Sequence, residues 1–132
     1  MQRLLILSAI FLLTISAEKC NEKKDSGGVK DTDGIIYKGR LEIKALCMNY
    51  TVKLLEGNID SSKIVSNWTD ETTSKSYTNV FALRNPCNFP ATIKQGDEFY
   101  FVIDTVATKP CAVCMAYYPI PGKKLPIKIV TK

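Results

Sequence analysis

Histidine is absent from this 132-residue chain. Its absence removes the usual general base of nucleophilic triads and the commonest zinc ligand. Glycine is sparse at seven residues, and neither a phosphate-cradling glycine loop nor a Gly-x-Ser-x-Gly elbow occurs. No uninterrupted apolar run approaches the roughly 20 residues that a membrane-spanning helix needs. Over residues 18–34 charge signs alternate rather than block, and the whole chain carries 18 Lys and Arg against 13 Asp and Glu, a formal net charge of +5. Such mixing disfavours a nucleic-acid arm. The length suits a single domain. What the chain does have is five cysteines, and these demand a compartment.

The N-terminus supplies one. Arg3 precedes the nearly unbroken apolar run Leu4–Ile15, which ends in Ser16-Ala17. A short apolar run, basic before and small after, reads as a signal peptide over residues 1–17. Cys20 follows, then the polar stretch Asn21-Glu22-Lys23-Lys24-Asp25-Ser26-Gly27-Gly28. Over residues 1–28 this arrangement resembles bacterial lipoproteins. The resemblance implies a lipidated cysteine, here Cys20, at the head of a polar tether, and hence an anchored protein of the cell envelope. Glu18 and Lys19 stand where that pattern has small residues, so ordinary cleavage after Ala17 is the competing expectation. Periplasmic, outer-membrane-anchored and secreted destinations all follow from export.

Residues 18–34 form a flexible tether by composition, too polar to bury the surface that ordering demands. From Ile35 the pattern becomes period two. Ile35, Tyr37, Leu41, Ile43 and Ala45 alternate with Lys38, Arg40, Glu42 and Lys44. After Cys47 the phase flips, and Met48, Tyr50, Val52 and Leu54 become the apolar set. A flip requires a bulge or a break near Ala45–Cys47. A bent first strand serving two layers is the expected reading. Further strands are expected at Ile64–Trp68, Tyr77–Leu83, Phe99–Val106, Ala112–Tyr118 and Leu125–Val130, with Pro126 placing the last at an edge. Asp60 offers a cap for at most one helical turn. Residues 35–132 therefore read as one all-β domain: a small Greek-key or OB-like barrel, or a sandwich, of six to seven short strands.

Chemistry concentrates at Cys111-Ala112-Val113-Cys114. A zinc site would need a second close cysteine pair, and Cys47 and Cys87 are far apart in sequence. A thioredoxin-type dithiol needs a helix N-terminus at its first cysteine, whereas Met115-Ala116-Tyr117-Tyr118 reads as strand. Thiol–disulfide exchange by this motif is the alternative function. The leading reading is a disulfide-braced fold. Cys87 lies in the loop Asn85-Pro86-Cys87-Asn88-Phe89-Pro90, and Cys111 also follows a proline. Pairing these two loop residues leaves Cys47 with Cys114 by elimination. Carboxylates are scattered, and no metal or cofactor is expected. Asn49-Tyr50-Thr51 and Asn67-Trp68-Thr69 match the glycosylation acceptor, which matters only in a glycosylating host.

Phe99, Phe101 and Ile103 are expected to face the core, leaving Tyr100 on the other face. Tyr100, one of Tyr117 and Tyr118, and Trp68 form the candidate ligand patch for a protein, peptide or glycan. The chain thus reads as an exported, non-enzymatic binding or scaffolding domain. It would touch membrane only through a lipid at Cys20 and would have no nucleic-acid partner. An inhibitor-like module presenting Asn85–Pro90 to a protease is a further alternative.

Overall fold

The computed structural model of the chain describes residues 34–106 and 111–132. The export segment, Cys20 and nearly all of the tether lie outside the described residues. The rest is all-β, with seven strands: β1 (Tyr37–Lys44), β2 (Tyr50–Glu56), β3 (Val65–Asp70), β4 (Lys75–Leu83), β5 (Glu98–Ile103), β6 (Lys124–Leu125) and β7 (Ile127–Val130). They order as β3-β4-β2-β1-β5-β7, with β6 against β4. Pairing is antiparallel except for the short β4–β6 contact. The sheet does not close into a barrel, and the arrangement is sandwich-like.

The phase flip after Ala45 is a hairpin rather than the expected bent strand. β1 ends at Lys44, a 3-10 turn covers Leu46–Met48, and β2 returns antiparallel. The turn closes through Ala45 N to Asn49 O at 3.2 Å and Asn49 N to Leu46 O at 3.1 Å. Cys47 and Met48 both take left-handed backbone, φ 55° and 57°. Each such residue costs an L-amino acid about 1–2 kcal/mol. A bulge does occur, but within β1: its register with β2 shifts between Leu41 and Ile43. Leu41 consequently joins one apolar cluster and Ile43 another.

Those clusters lie on the two faces of the sheet. Val80 and Phe81 are adjacent in β4, point to opposite faces and are both fully buried. The main core gathers Tyr37, Leu41, Val52, Phe81, Phe99 and Phe101, closed by Ile59 and Ile64 from the β2–β3 connection and by Leu125 and Ile127. Aromatic rings tie it together, with Phe101 stacked on Tyr37 at 5.4 Å and tilted against Phe81 at 5.8 Å. The connection into the core is tight. Gly57 has φ +103°, and a Cβ there would fall 2.5 Å from the Tyr37 ring. Asp60 caps the following turn, its carboxylate accepting from Ser62 N at 2.7 Å. The smaller cluster on the other face comprises Ile43, Tyr77 and Val80, with Val65, Trp68 and Tyr118 against them.

Two expected strands differ. Leu125–Val130 divides at Pro126: β6 pairs with β4, β7 pairs with β5, and the chain passes between them at the proline. Proline cannot donate to a ladder, and here its carbonyl instead accepts from Asp104 N at 2.9 Å. Ala112–Tyr118 forms no strand at all; the segment joins no ladder. Its alternating apolar residues mimic a strand pattern but face solvent.

The crossing at Pro126 depends on Asn85. This buried amide donates from Nδ2 to Ile127 O and accepts at Oδ1 from Ile127 N, both at 3.0 Å. One side chain satisfies both backbone polar groups of Ile127 where β4 has ended. An unpaired buried peptide group is costly, so the amide is hard to replace. Asn85→Ala is expected to lower unfolding free energy by about 2–3 kcal/mol in urea titrations. Asn85→Asp should cost at least as much at neutral pH, because a carboxylate cannot donate to Ile127 O. Variants within about 0.5 kcal/mol of the parent would contradict this account.

Candidate functional site

Cys47 is bonded to Cys114 and Cys87 to Cys111. These are the pairs expected from the proline-bounded loops. Disulfides of this kind belong to oxidising, non-cytoplasmic locations. The loops they close span 67 and 24 residues. Such closures contribute roughly 3–4 kcal/mol each in chain-entropy terms. Each cysteine of the Cys111–Cys114 motif is thus committed to a distant partner rather than to its neighbour.

Both bridges hold the same segment. Residues 111–121 run without helix, strand or turn as a strap across the second face of the sheet. Cys111 fastens it to the 3-10 turn Pro86–Asn88, and Cys114 fastens it to the β1–β2 turn. Asn49, in that same β1–β2 turn, donates from Nδ2 to Leu46 O at 2.9 Å and to Ala116 O at 3.4 Å. Farther along, Tyr118 packs on the Ile43–Tyr77–Val80 cluster and Pro119 is buried. The second face is therefore covered by a strap where a second layer could have stood.

Tyr118 is also held through its hydroxyl, which donates to Asp70 Oδ2 at 3.0 Å. Asp70 is 1% exposed. It begins the β3–β4 turn and accepts as well from Thr72 N at 2.8 Å and Thr73 Oγ1 at 3.0 Å. Burial pushes this carboxyl up, but the hydrogen bonds from Thr72, Thr73 and Tyr118 outweigh it and hold the carboxyl below its ordinary value. The Tyr118 hydroxyl is raised in turn, by burial first and by its bond to Asp70 next.

Apolar side chains gather around the Cys47–Cys114 bridge. Leu46 and Met48 flank one cysteine, and Val113 and Met115 flank the other. The bridge brings these two tripeptides side by side, and all four apolar residues are exposed, Leu46 at 71% and Met115 at 98%. Tyr117 adds a fifth at 82%. Beside them a cleft of about 340 Å³ is lined by Cys47, Tyr50, Arg84, Pro86, Cys111 and Val113. No group of His, Cys, Asp or Glu able to hold a metal ion exists among the described residues.

The expected aromatic patch does not assemble. Trp68 stacks on Tyr77 at 5.8 Å, in the cluster with Tyr118. Tyr100 lies opposite Lys38 and Val130, with β4, β2 and β1 between its strand and Trp68 on β3. Its surroundings are charged: Lys132 Nζ lies 5.2 Å from its ring, and Lys38 pairs with Glu98 at 2.7 Å. Only Tyr117 projects freely. The loop Asn85–Pro90 is likewise no free presenting loop. Asn85 is clamped to Ile127, and Phe89 packs edge-on against Phe99 at 5.4 Å. The sequence signal for the surface that does exist is the repeated motif apolar–Cys–apolar, in Leu46-Cys47-Met48 and Val113-Cys114-Met115.

Comparison with protein families, curated proteins and solved structures returns no match.

The Asp70–Tyr118 bond makes the strap's anchorage depend on pH. Because folding lowers the Asp70 pKa, its contribution is complete above about pH 4 and is lost as pH falls through the lower folded value. Tyr118→Phe is expected to reduce stability by about 1–2 kcal/mol at neutral pH. The gap from the parent should narrow on acidification through that range. Denaturant titrations at several pH values check this, and a pH-independent gap would contradict it.

Proposed function

We propose that this is an exported, non-enzymatic β domain that binds a partner at the cell envelope through the strap. Export is supported by the signal-like residues 1–17 and by the two disulfides. Cys20, with its polar tether, would anchor the domain to a membrane by lipid. The observation that carries the binding role is the cluster of five exposed apolar side chains around the Cys47–Cys114 bridge. Contiguous apolar surface that a monomer leaves open marks an interaction site. A braced segment loses little conformational freedom on binding, so more of its contact energy survives as affinity. The charged face around Tyr100 and Lys38 lacks this character.

A photoreactive phenylalanine analogue tests the assignment, placed at position 115 in one variant and at Lys128 in another. In isolated envelopes of cells that make the protein, position 115 should give a saturable adduct. Excess parent domain should compete it away, and a Met115→Ser/Tyr117→Ser domain should not. Adducts of equal yield from both positions, or none at 115, would contradict the proposal.

A further inference from the structure

We infer that the strap is a protease-blocking loop, with Met115 as the side chain that enters the primary pocket of a serine endopeptidase. The inference rests on the strap being the binding element and names the class of its partner. Endopeptidase clefts take an extended chain by its main chain and seat one side chain in a deep pocket. The strap has no helix or turn to undo before taking that form. Residues 112–117 have no strand partner, and of their carbonyls Ala116 O is held by Asn49 Nδ2. Among the described residues, Met115 is the most exposed large apolar side chain. Its unbranched apolar side chain suits an apolar pocket.

The fastening explains why such a loop would block an enzyme rather than be consumed by it. Cys114, before Met115, is bonded to Cys47; Ala116, after it, accepts from Asn49. Cys47 and Asn49 belong to one short turn, so both sides of the Met115–Ala116 bond are held to the same piece of backbone. Attack by a protease serine on the Met115 carbonyl forms an ester and breaks the amide, and the serine proton passes to the departing Ala116 nitrogen. That amine cannot diffuse away. It stays beside the acyl group at high effective concentration, and its attack on the ester remakes the amide and frees the serine. The left-handed residues Cys47 and Met48 shape the clamp, and strained backbone of this kind concentrates at functional sites.

The full disulfide-bonded chain should be titrated against chymotrypsin-type, elastase-type and subtilisin-type endopeptidases, with trypsin as the control. Stoichiometric, reversible inhibition of at least one apolar-pocket enzyme is expected, with trypsin unaffected. Met115→Gly should weaken inhibition by roughly 30-fold or more. Met115→Lys should transfer inhibition to trypsin. Asn49→Ala should still inhibit at first but be hydrolysed at Met115–Ala116 about five- to tenfold faster. No inhibition across the panel, turnover of the intact strap as an ordinary substrate, or failure of Met115→Lys to engage trypsin would each overturn the inference. Concentration-dependent self-association lost in Met115→Ser would overturn it too, by assigning the surface to a second copy. A competed adduct at position 115 without inhibition of any enzyme would sink this inference alone. Absence of both would sink the binding role as well.

Discussion

A segment that joins no ladder cannot be held by main-chain pairing, and everything distinctive in this domain follows from how the strap is held instead. The main core needs only one face of the sheet. The other face still carries Ile43, Tyr77 and Val80, which must be shielded from water. Too little apolar surface exists there to organise another layer of strands. The chain meets the need with residues 111–121, and fixes them by two disulfides, one side-chain amide, one tyrosine–carboxylate bond and two buried prolines, Pro119 and Pro121. These fastenings sit at intervals of a few residues. Between them the strap is free to present what it carries.

The same logic connects the tips of the fold. The β1–β2 turn is strained at Cys47 and Met48, and the bridge from Cys47 turns that strained tip into an anchor. The 3-10 turn at Pro86–Asn88 anchors the other end, and Asn85 just before it locks the crossing of the C-terminal segment. Cys111 therefore joins the strap to the place where the two halves of the sheet are themselves joined. Rigidity in the fold is passed to the exposed loop through covalent bonds.

Much of this architecture was legible in the sequence. Period-two alternation located β1, β2 and the last strand, while β-branched and aromatic content located β3 and β4 and a continuous apolar run located β5. Prolines beside Cys87 and Cys111 marked both as loop residues, and the pairing followed. Other features were illegible for physical reasons. A phase flip can come from a bulge or from a reversal, so the hairpin at Ala45–Asn49 read as a bend. Val113, Met115 and Tyr117 alternate like strand residues, and nothing local says that no neighbouring strand receives them. Trp68 and Tyr118 pack on one cluster while Tyr100 stays apart, a matter of strand order that no short window of sequence contains. Asn85 read as part of the proline-bounded loop Asn85–Pro90; its amide matters only because Ile127 comes to it from far along the chain.

The strap is exposed, and its fastenings should make it rigid. Amide order parameters from nitrogen relaxation, measured for Val113–Tyr117, test it most directly. Values of about 0.8 are expected in the oxidised protein, near those of the strands, and values below about 0.6 once Cys47 and Cys114 are both replaced by serine. Low values in the intact, fully oxidised protein would contradict it.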